Sequence, residues 1–521
     1  MNYPIGMQSF SNIRRNGYLY VDKTAYIPLL LQNGRYKFLS RPRRFGKSLL
    51  VSMLESFFSG ERELFNGLKI DRLMPEEWES HPVIHLDFSG EDYVSAGVLD
   101  NKLHSSLERY ESAIGIQTAN ATFSERFRNI VRTLHASTGR QVVVLVDEYD
   151  NPITAAIGNP ELQERFRATL YGFYSSLKSL DEHLHFCLLT GVTKYGHLSV
   201  FSGLNNLLDI TFMNEFAGIC GITEEELRVS LKSGVEHFAE EEGIEPELAF
   251  NQLKEWYDGY HFSKSLLDVY NPFSVMNTLA RREISGYWYQ TGTPTILIKM
   301  LTDSSLDITK LNGTKASDDM LGNISATNVN PTALFYQTGY LTIKNYDRSS
   351  RLYTLGYPNK EIESGLMDNL LNVYGNISDS RVLVAELKSY LERGEADLFI
   401  KTLREFFANI PFDLRRNVAK YENYYHTVFY VLLRLIGMDV DAEYHTSEGS
   451  IDLVIKTSRY IYIIELKING SAQEAIEQID SRNYSAPFAN DSREIIKLGI
   501  GFAEHTHTID SFIAQKEAKD E

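Results

Sequence analysis

Tyr36-Lys37-Phe38-Leu39-Ser40-Arg41-Pro42-Arg43-Arg44-Phe45-Gly46-Lys47-Ser48-Leu49-Leu50 is the stretch from which the fold of the N-terminal half can be read. Tyr36 to Ser40 is a short apolar strand, and a basic loop follows it. From Ser48, Leu49, Leu50, Met53, Leu54, Phe57 and Phe58 recur at helical spacing. A Gly-Lys-Ser turn between a strand and a helix suits an anion. Amides at a helix start favour negative charge, the lysine neutralises phosphate oxygens, and the serine hydroxyl can ligate Mg²⁺. In the loop pattern G-x-x-x-x-G-K-[ST], Arg41 stands where the first glycine belongs. Arg41, Arg43 and Arg44 add charge close to the expected phosphates, where they either assist binding or line a surface.

Outward from this loop, Val83 to Phe88 reads as a second strand and Val142 to Val146 as a β-branched run of the kind buried on both faces of a parallel sheet. Phe186 to Thr190 repeats that character after a helix from about Glu161. Alternating strands and helices predict a parallel α/β sheet over residues 1–215. The Val142 run ends in Asp147-Glu148, the form of a Walker B strand. Gly-Lys-Ser alone is no more than a helix start carrying a lysine. Paired in this order with the acidic strand end, it predicts a P-loop domain that binds ATP and Mg²⁺. Gly46, Lys47, Ser48, Arg43 and Arg44 would hold the phosphates, and Ser48 and Asp147 the metal. Glu148 would polarise the attacking water. Thr190, Thr193 and Lys194 follow the next strand, and Arg165 and Arg167 lie on the intervening helix, but a solvated or structural role fits each of them better.

Shorter helices dominate residues 216–361, a helical lid that ends in a helix and a hairpin: Leu341 to Tyr346, a turn at Asp347 to Ser350, then Leu352 to Leu355. That order suits a winged-helix element. Helical periodicity continues to Leu435, and the remainder of residues 362–521 alternates short strands with one amphipathic helix, which predicts a small α/β domain.

A second chemical signal lies there. Ile451-Asp452-Leu453-Val454-Ile455 and Tyr460-Ile461-Tyr462-Ile463-Ile464-Glu465-Leu466-Lys467 are two strands joined by a tight turn. Side chains two apart on a strand share a face, so Glu465 and Lys467 point together and Asp452 can reach them. Two carboxylates can bind Mg²⁺ for phosphodiester hydrolysis, and Lys467 can orient or deprotonate a water. Upstream, Glu422 is a candidate further metal ligand, four residues from His426 on one helix face. Downstream, an amphipathic helix from Ala472 to Tyr484 carries Gln478. A lone Glu-x-Lys is ordinarily an exposed ion pair; the preceding Asp-bearing strand and the flanking helices give it catalytic meaning.

Composition narrows the field. Hydrophobic residues make up 43% of the 521 and charged residues 23%, as in soluble globular proteins. Cys187 and Cys220 stand apart from one another, arguing against structural zinc and for a reducing cytoplasm. No apolar stretch approaches bilayer length, and the N-terminus lacks a signal-peptide pattern, so no membrane partner is expected. A formal net charge of −17 argues against a coat for nucleic acid but leaves room for a local basic groove.

With the motifs placed, the chain resembles the bacterial AAA-ATPase-like proteins with a C-terminal PD-(D/E)xK nuclease domain. The resemblance covers Tyr20-Val21-Asp22-Lys23-Thr24, Ser40 to Ser48, Asp147-Glu148-Tyr149-Asp150 and Phe201 to Leu207. It continues through Trp256-Tyr257-Asp258-Gly259-Tyr260, Tyr270-Asn271-Pro272, Tyr353 to Pro358, Ile451 to Val454 and Glu465-Leu466-Lys467. It implies an ATPase core, a helical or winged-helix middle and a nuclease-like end of the α/β restriction-endonuclease type, with Arg41 as the family's own pattern. Two functions follow: an ATP-regulated, Mg-dependent nuclease acting on nucleic acid, DNA above RNA, or a non-catalytic ATP-dependent switch or scaffold whose nuclease-like domain only binds. A protein-remodelling ATPase leaves the C-terminal site without a task.

Overall fold

The computed structural model describes the chain outside residues 1, 77, 119–120, 195–199, 202–203, 205, 291–296, 298–307, 309–310, 323–329, 376, 378, 409–420, 438, 447–448, 504–507 and 518–521. It leaves out the side chains of residues 374–375, 421–427, 439–443, 445–446, 449 and 468 as well. The chain divides into two compact units, one of residues 1–293 with 311–362, the other of residues 294–310 with 363–521.

The first unit is built on a five-stranded sheet: β1 (Tyr36–Ser40), β2 (Val83–Asp87), β3 (Val142–Asp147), β4 (Leu184–Gly191) and β5 (Leu208–Asp209). Their order is β2-β3-β4-β1-β5, and every neighbouring pair is parallel. Every residue of β1 and β3 is buried, as unbroken apolar runs require when both faces of a sheet are covered. The helix Lys47–Phe58 follows β1 and buries Leu50, Val51, Met53, Leu54, Phe57 and Phe58. Two long helices, Ala96–Ile114 and Phe123–Thr138, separate β2 from β3, the latter started by a capping box of Thr122 and Glu125.

Beyond this sheet, β6 (Ile222–Thr223) pairs with β7 (Val269–Tyr270) beside the helices Glu224–Ser230, Lys232–Glu242, Pro246–Tyr257 and Pro272–Arg281. The expected helix and hairpin are present: Pro331–Thr338, then β9 (Thr342–Asp347) and β10 (Leu352–Gly356). A short strand that the sequence did not suggest, β8 (Lys315–Ala316), extends the hairpin to three antiparallel strands. The helix is buried along its length, so it is a packing element with no free face for a groove.

The second unit centres on a sheet of order β11-β12-β13-β14-β15: Asp439–Thr446, Gly449–Lys456, Tyr460–Ile468, Glu494–Ala503 and Thr508–Lys516. All pairs are antiparallel except β13 with β14. A parallel pair needs a crossover, and the helix Ala472–Ser481 supplies it, capped by Ser471 and Glu474. Its Ile476 and Ile479 pack on Ile451, Val454, Ile461 and Ile463 of the sheet to form the core of this unit, with Phe488 at its margin.

Candidate functional sites

The loop after β1 and the Asp147-Glu148 step after β3 open on the carboxyl edge of one parallel sheet, with β4 between them. This edge is where open α/β sheets hold ligands. Gly46 has φ 97°, a left-handed conformation that a side chain would strain, and it is the N-cap of Lys47–Phe58. Lys47 is buried, and its ammonium donates to the carbonyls of Arg41 at 2.9 Å and Pro42 at 3.0 Å. Burial lowers its pKa, opposed by Asp147 and Glu148. Asp147 is buried and accepts a hydrogen bond from the Thr190 hydroxyl. Glu148, at φ 53°, lines the same cavity as Gly46, Lys47 and Ser48, and burial raises its pKa against the pull of Lys47.

The arginines divide. Arg43 and Arg44 line the cavity, and the Arg44 guanidinium lies 4.0 Å from the centre of the Phe273 ring. Arg41 instead turns inward. It is 1% exposed and donates to the carbonyls of Ser40, Thr211 and Phe216 at 2.8, 3.0 and 2.9 Å. Its expected place near the phosphates is therefore corrected: both of its Nη groups are committed to main-chain carbonyls, and its Nε is buried with no partner among the described residues. Thr193 and Lys194 are also committed, the first to Asp150 and the second to Asp209 and Gln337. Asp150, whose role spacing alone did not reveal, clamps the loop after β4 by accepting from Val192 N at 3.1 Å and Thr193 N at 2.7 Å. Arg165 pairs with Asp100 and Arg167 with Glu164.

In the second unit the β12–β13 ladder ends at Leu453 and Ile464. Just beyond it the Asp452 carboxylate accepts from Leu466 N at 2.8 Å, which ties the two strand ends together at the site. Glu465 is 2% exposed, and its Oε1 accepts from Lys467 Nζ at 3.1 Å and from Gln478 Nε2. Lys467 Nζ also donates to Gln478 Oε1 at 2.6 Å. Tyr484 completes the network, its hydroxyl donating to Ser450 O at 2.8 Å. Burial and then the Asp452 charge raise the pKa of Glu465, while Lys467 and, more weakly, the Asp452 main-chain N–H lower it. Its second oxygen, Oε2, is buried with no hydrogen-bond partner among the described residues.

Asp452, Glu465 and Lys467 therefore converge, with Gln478 from the crossover helix. Glu422 lies on the helix Tyr421–Ile436, but its side chain and that of His426 are outside the described residues. Among the described residues no group of three His, Cys, Asp or Glu side chains gathers to hold a metal. Two facing acids with one unpartnered oxygen nonetheless fit a divalent cation, because a buried carboxylate oxygen without a donor is costly unless a cation or proton meets it.

A parallel sheet with a lysine-bearing phosphate loop, followed by a mixed sheet with a carboxylate-lysine site, defines a two-module protein of ATPase-like and nuclease-like parts. Residues 4–201 match a family described as predicted AAA-ATPase, and residues 420–512 match the PD-(D/E)XK nuclease superfamily. Over 525 residues, covering 98% of each chain, the sequence is 35% identical to "Uncharacterized protein in vnfD 5'region" of Azotobacter chroococcum mcd 1. The chain belongs to the family of AAA-ATPase-like proteins that carry a C-terminal PD-(D/E)XK nuclease superfamily domain. These domains point to an enzyme in general terms. No described helix is long and apolar enough to cross a membrane.

Proposed function

We propose that this protein is an ATP-regulated, Mg²⁺-dependent nuclease that hydrolyses phosphodiester bonds of nucleic acid, DNA above RNA. The observation that carries the nuclease half is the buried, unpartnered Oε2 of Glu465 beside Asp452 and Lys467. A divalent cation bound by Asp452 and Glu465 would polarise the phosphate and stabilise the leaving oxygen. Lys467 and Gln478 hold Glu465 Oε1, which leaves Oε2 as the oxygen turned to the ligand. The Lys467 side chain is 28% exposed, and its ammonium can orient a water and balance the negative charge that develops on phosphate.

The nucleotide half is supported by a cavity of about 570 Å³, within the range for small ligands. Its lining includes both polar groups, among them Lys47, Ser48 and Glu148, and apolar ones, among them Leu19, Val21 and Met276. Lys47 and Ser48 are assigned to phosphate and Asp147 to Mg²⁺, and Glu148 to the attacking water.

The decisive experiment incubates the purified protein with plasmid, linear and single-stranded DNA and with RNA, in Mg²⁺ or Mn²⁺, with and without ATP. Metal-dependent cutting that Lys467→Ala abolishes supports the nuclease. ATP binding without cutting of any substrate rejects it in favour of the non-catalytic switch, the alternative that the acidic net charge of −17 favours.

A further inference from the structure

The phosphate loop is held from outside by residues far along the chain. The indole Nε1 of Trp288 donates to the carbonyl of Arg43 at 2.9 Å, across 245 positions of sequence. The main-chain N–H of Trp288 donates in turn to Glu361 Oε1 at 2.8 Å, and the Ser274 hydroxyl donates to the same carboxylate at 2.8 Å and 3.0 Å. Glu361 is 1% exposed, and its carboxylate is held by these donors together with the main-chain N–H of Tyr289. Ser274 follows Phe273, whose ring lies beneath the Arg44 guanidinium. Two consecutive loop residues are thus gripped, one by its carbonyl and the other by its side chain.

The conformation gripped is a strained one. Arg44 has φ 63°, a left-handed backbone that arginine adopts only at a cost. A trans peptide is planar, with its C=O and N–H opposed, so fixing the Arg43 carbonyl on Trp288 turns the Arg44 N–H the other way. That N–H has no hydrogen-bond partner among the described residues, and Arg44 lines the nucleotide cavity. We propose that Trp288 and Glu361 are positioning residues for the nucleotide: by holding the Arg43 carbonyl they keep the Arg44 amide and the loop around Gly46 in the geometry that receives phosphate. Neither touches the ligand; each acts through the loop. This inference rests on the nucleotide-binding part of the function proposed above.

The test is calorimetric titration of the full chain with ATP, beside spectroscopy of Trp288. Trp288→Phe keeps an aromatic ring and removes the N–H donor, and it is expected to weaken ATP binding about tenfold, equivalent to ~1.4 kcal/mol. Glu361→Ala is expected to weaken it similarly, whereas Glu361→Gln, which keeps an acceptor for the Trp288 N–H, restores most of the affinity. In a Trp78→Phe, Trp256→Phe background Trp288 is the only tryptophan, and its emission is expected to shift on ATP addition and to stay constant in Lys47→Ala. Wild-type affinity in Trp288→Phe and Glu361→Ala, with circular dichroism confirming that they fold, overturns the inference while nucleotide binding stands. Static emission from Trp288 in a protein that binds ATP also overturns it. If the wild-type chain binds no ATP, the nucleotide assignment itself fails, and this inference with it.

Discussion

Arg41 carries its charge into the interior of the first unit, where the carbonyls of Ser40, Thr211 and Phe216 take it up and Phe262 packs 4.3 Å from its guanidinium carbon. Restoring the glycine of the usual loop is therefore expected to harm the protein. Arg41→Gly removes the side-chain donor from three carbonyls, of which only that of Phe216 keeps another among the described residues, the Ile219 N–H, and should lower the unfolding free energy by on the order of 2 kcal/mol in urea melts. An unchanged midpoint would show that the contacts contribute nothing. Asp258 presents the opposite case, an acid buried at 2% exposure and only weakly compensated, by Lys254 Nζ at 3.9 Å and the Gly259 main-chain N–H. Burial raises its pKa to about 7. A folded value above the unfolded one means that its protonated form stabilises the fold at low pH, and that this contribution disappears as pH rises through about 7. Asp258→Asn should therefore gain stability over wild type by on the order of 2 kcal/mol at about pH 8, and by less at about pH 5. Equal pH profiles in denaturant melts of the two proteins would refute it. At this scale, residues whose direction follows from periodicity were readable: Glu465 and Lys467 share a strand face by spacing alone. Arg41 was not, because the sequence of a loop does not say whether a side chain turns out to phosphate or in to carbonyls.

Elements were more legible than their packing. The strands at Tyr36, Val83, Val142 and Phe186, the helix from Ser48 and the hairpin around Asp347 to Ser350 all announced themselves by apolar period and turn chemistry. β5 and β8 did not, because two-residue strands are fixed by their neighbours and carry no period of their own. Nor did the seat of the crossover helix. Gly499 pairs with Glu465 across β13 and β14, and a Cβ built on it would lie 2.5 Å from the carbonyl of Ala472 and 2.9 Å from Ile476 Cγ1. Glycine there lets the helix Ala472–Ser481 sit close enough for Gln478 to reach Glu465 and Lys467. Gly499→Ala must push the helix outward, at a cost on the order of 1–3 kcal/mol. Under the proposed function it should also reduce cutting more than a surface change of equal stability cost, since Gln478 leaves Glu465. A variant that melts lower but cuts at the wild-type rate would separate Gln478 from catalysis.

For the whole molecule, the question is whether the two compact units share free energy. Regulation of one site by the other requires a coupling term, typically about 1–3 kcal/mol, and no proximity argument substitutes for it. Scanning calorimetry can measure it, because a ligand stabilises the unit that binds it by an amount set by mass action, about 2.7 kcal/mol at a hundredfold excess over Kd. The two units are expected to melt as two transitions. ATP should raise that of residues 1–293 with 311–362 directly, and that of the nuclease-like unit by the coupling term alone. Divalent cation without nucleotide should do the reverse, and Asp452→Asn should remove its effect. Linkage makes the two cross-effects equal in free energy, so each checks the other. Should ATP move the first transition and leave the second untouched, the protein would hold two independent sites on one chain, and nucleotide would have no means of governing cleavage.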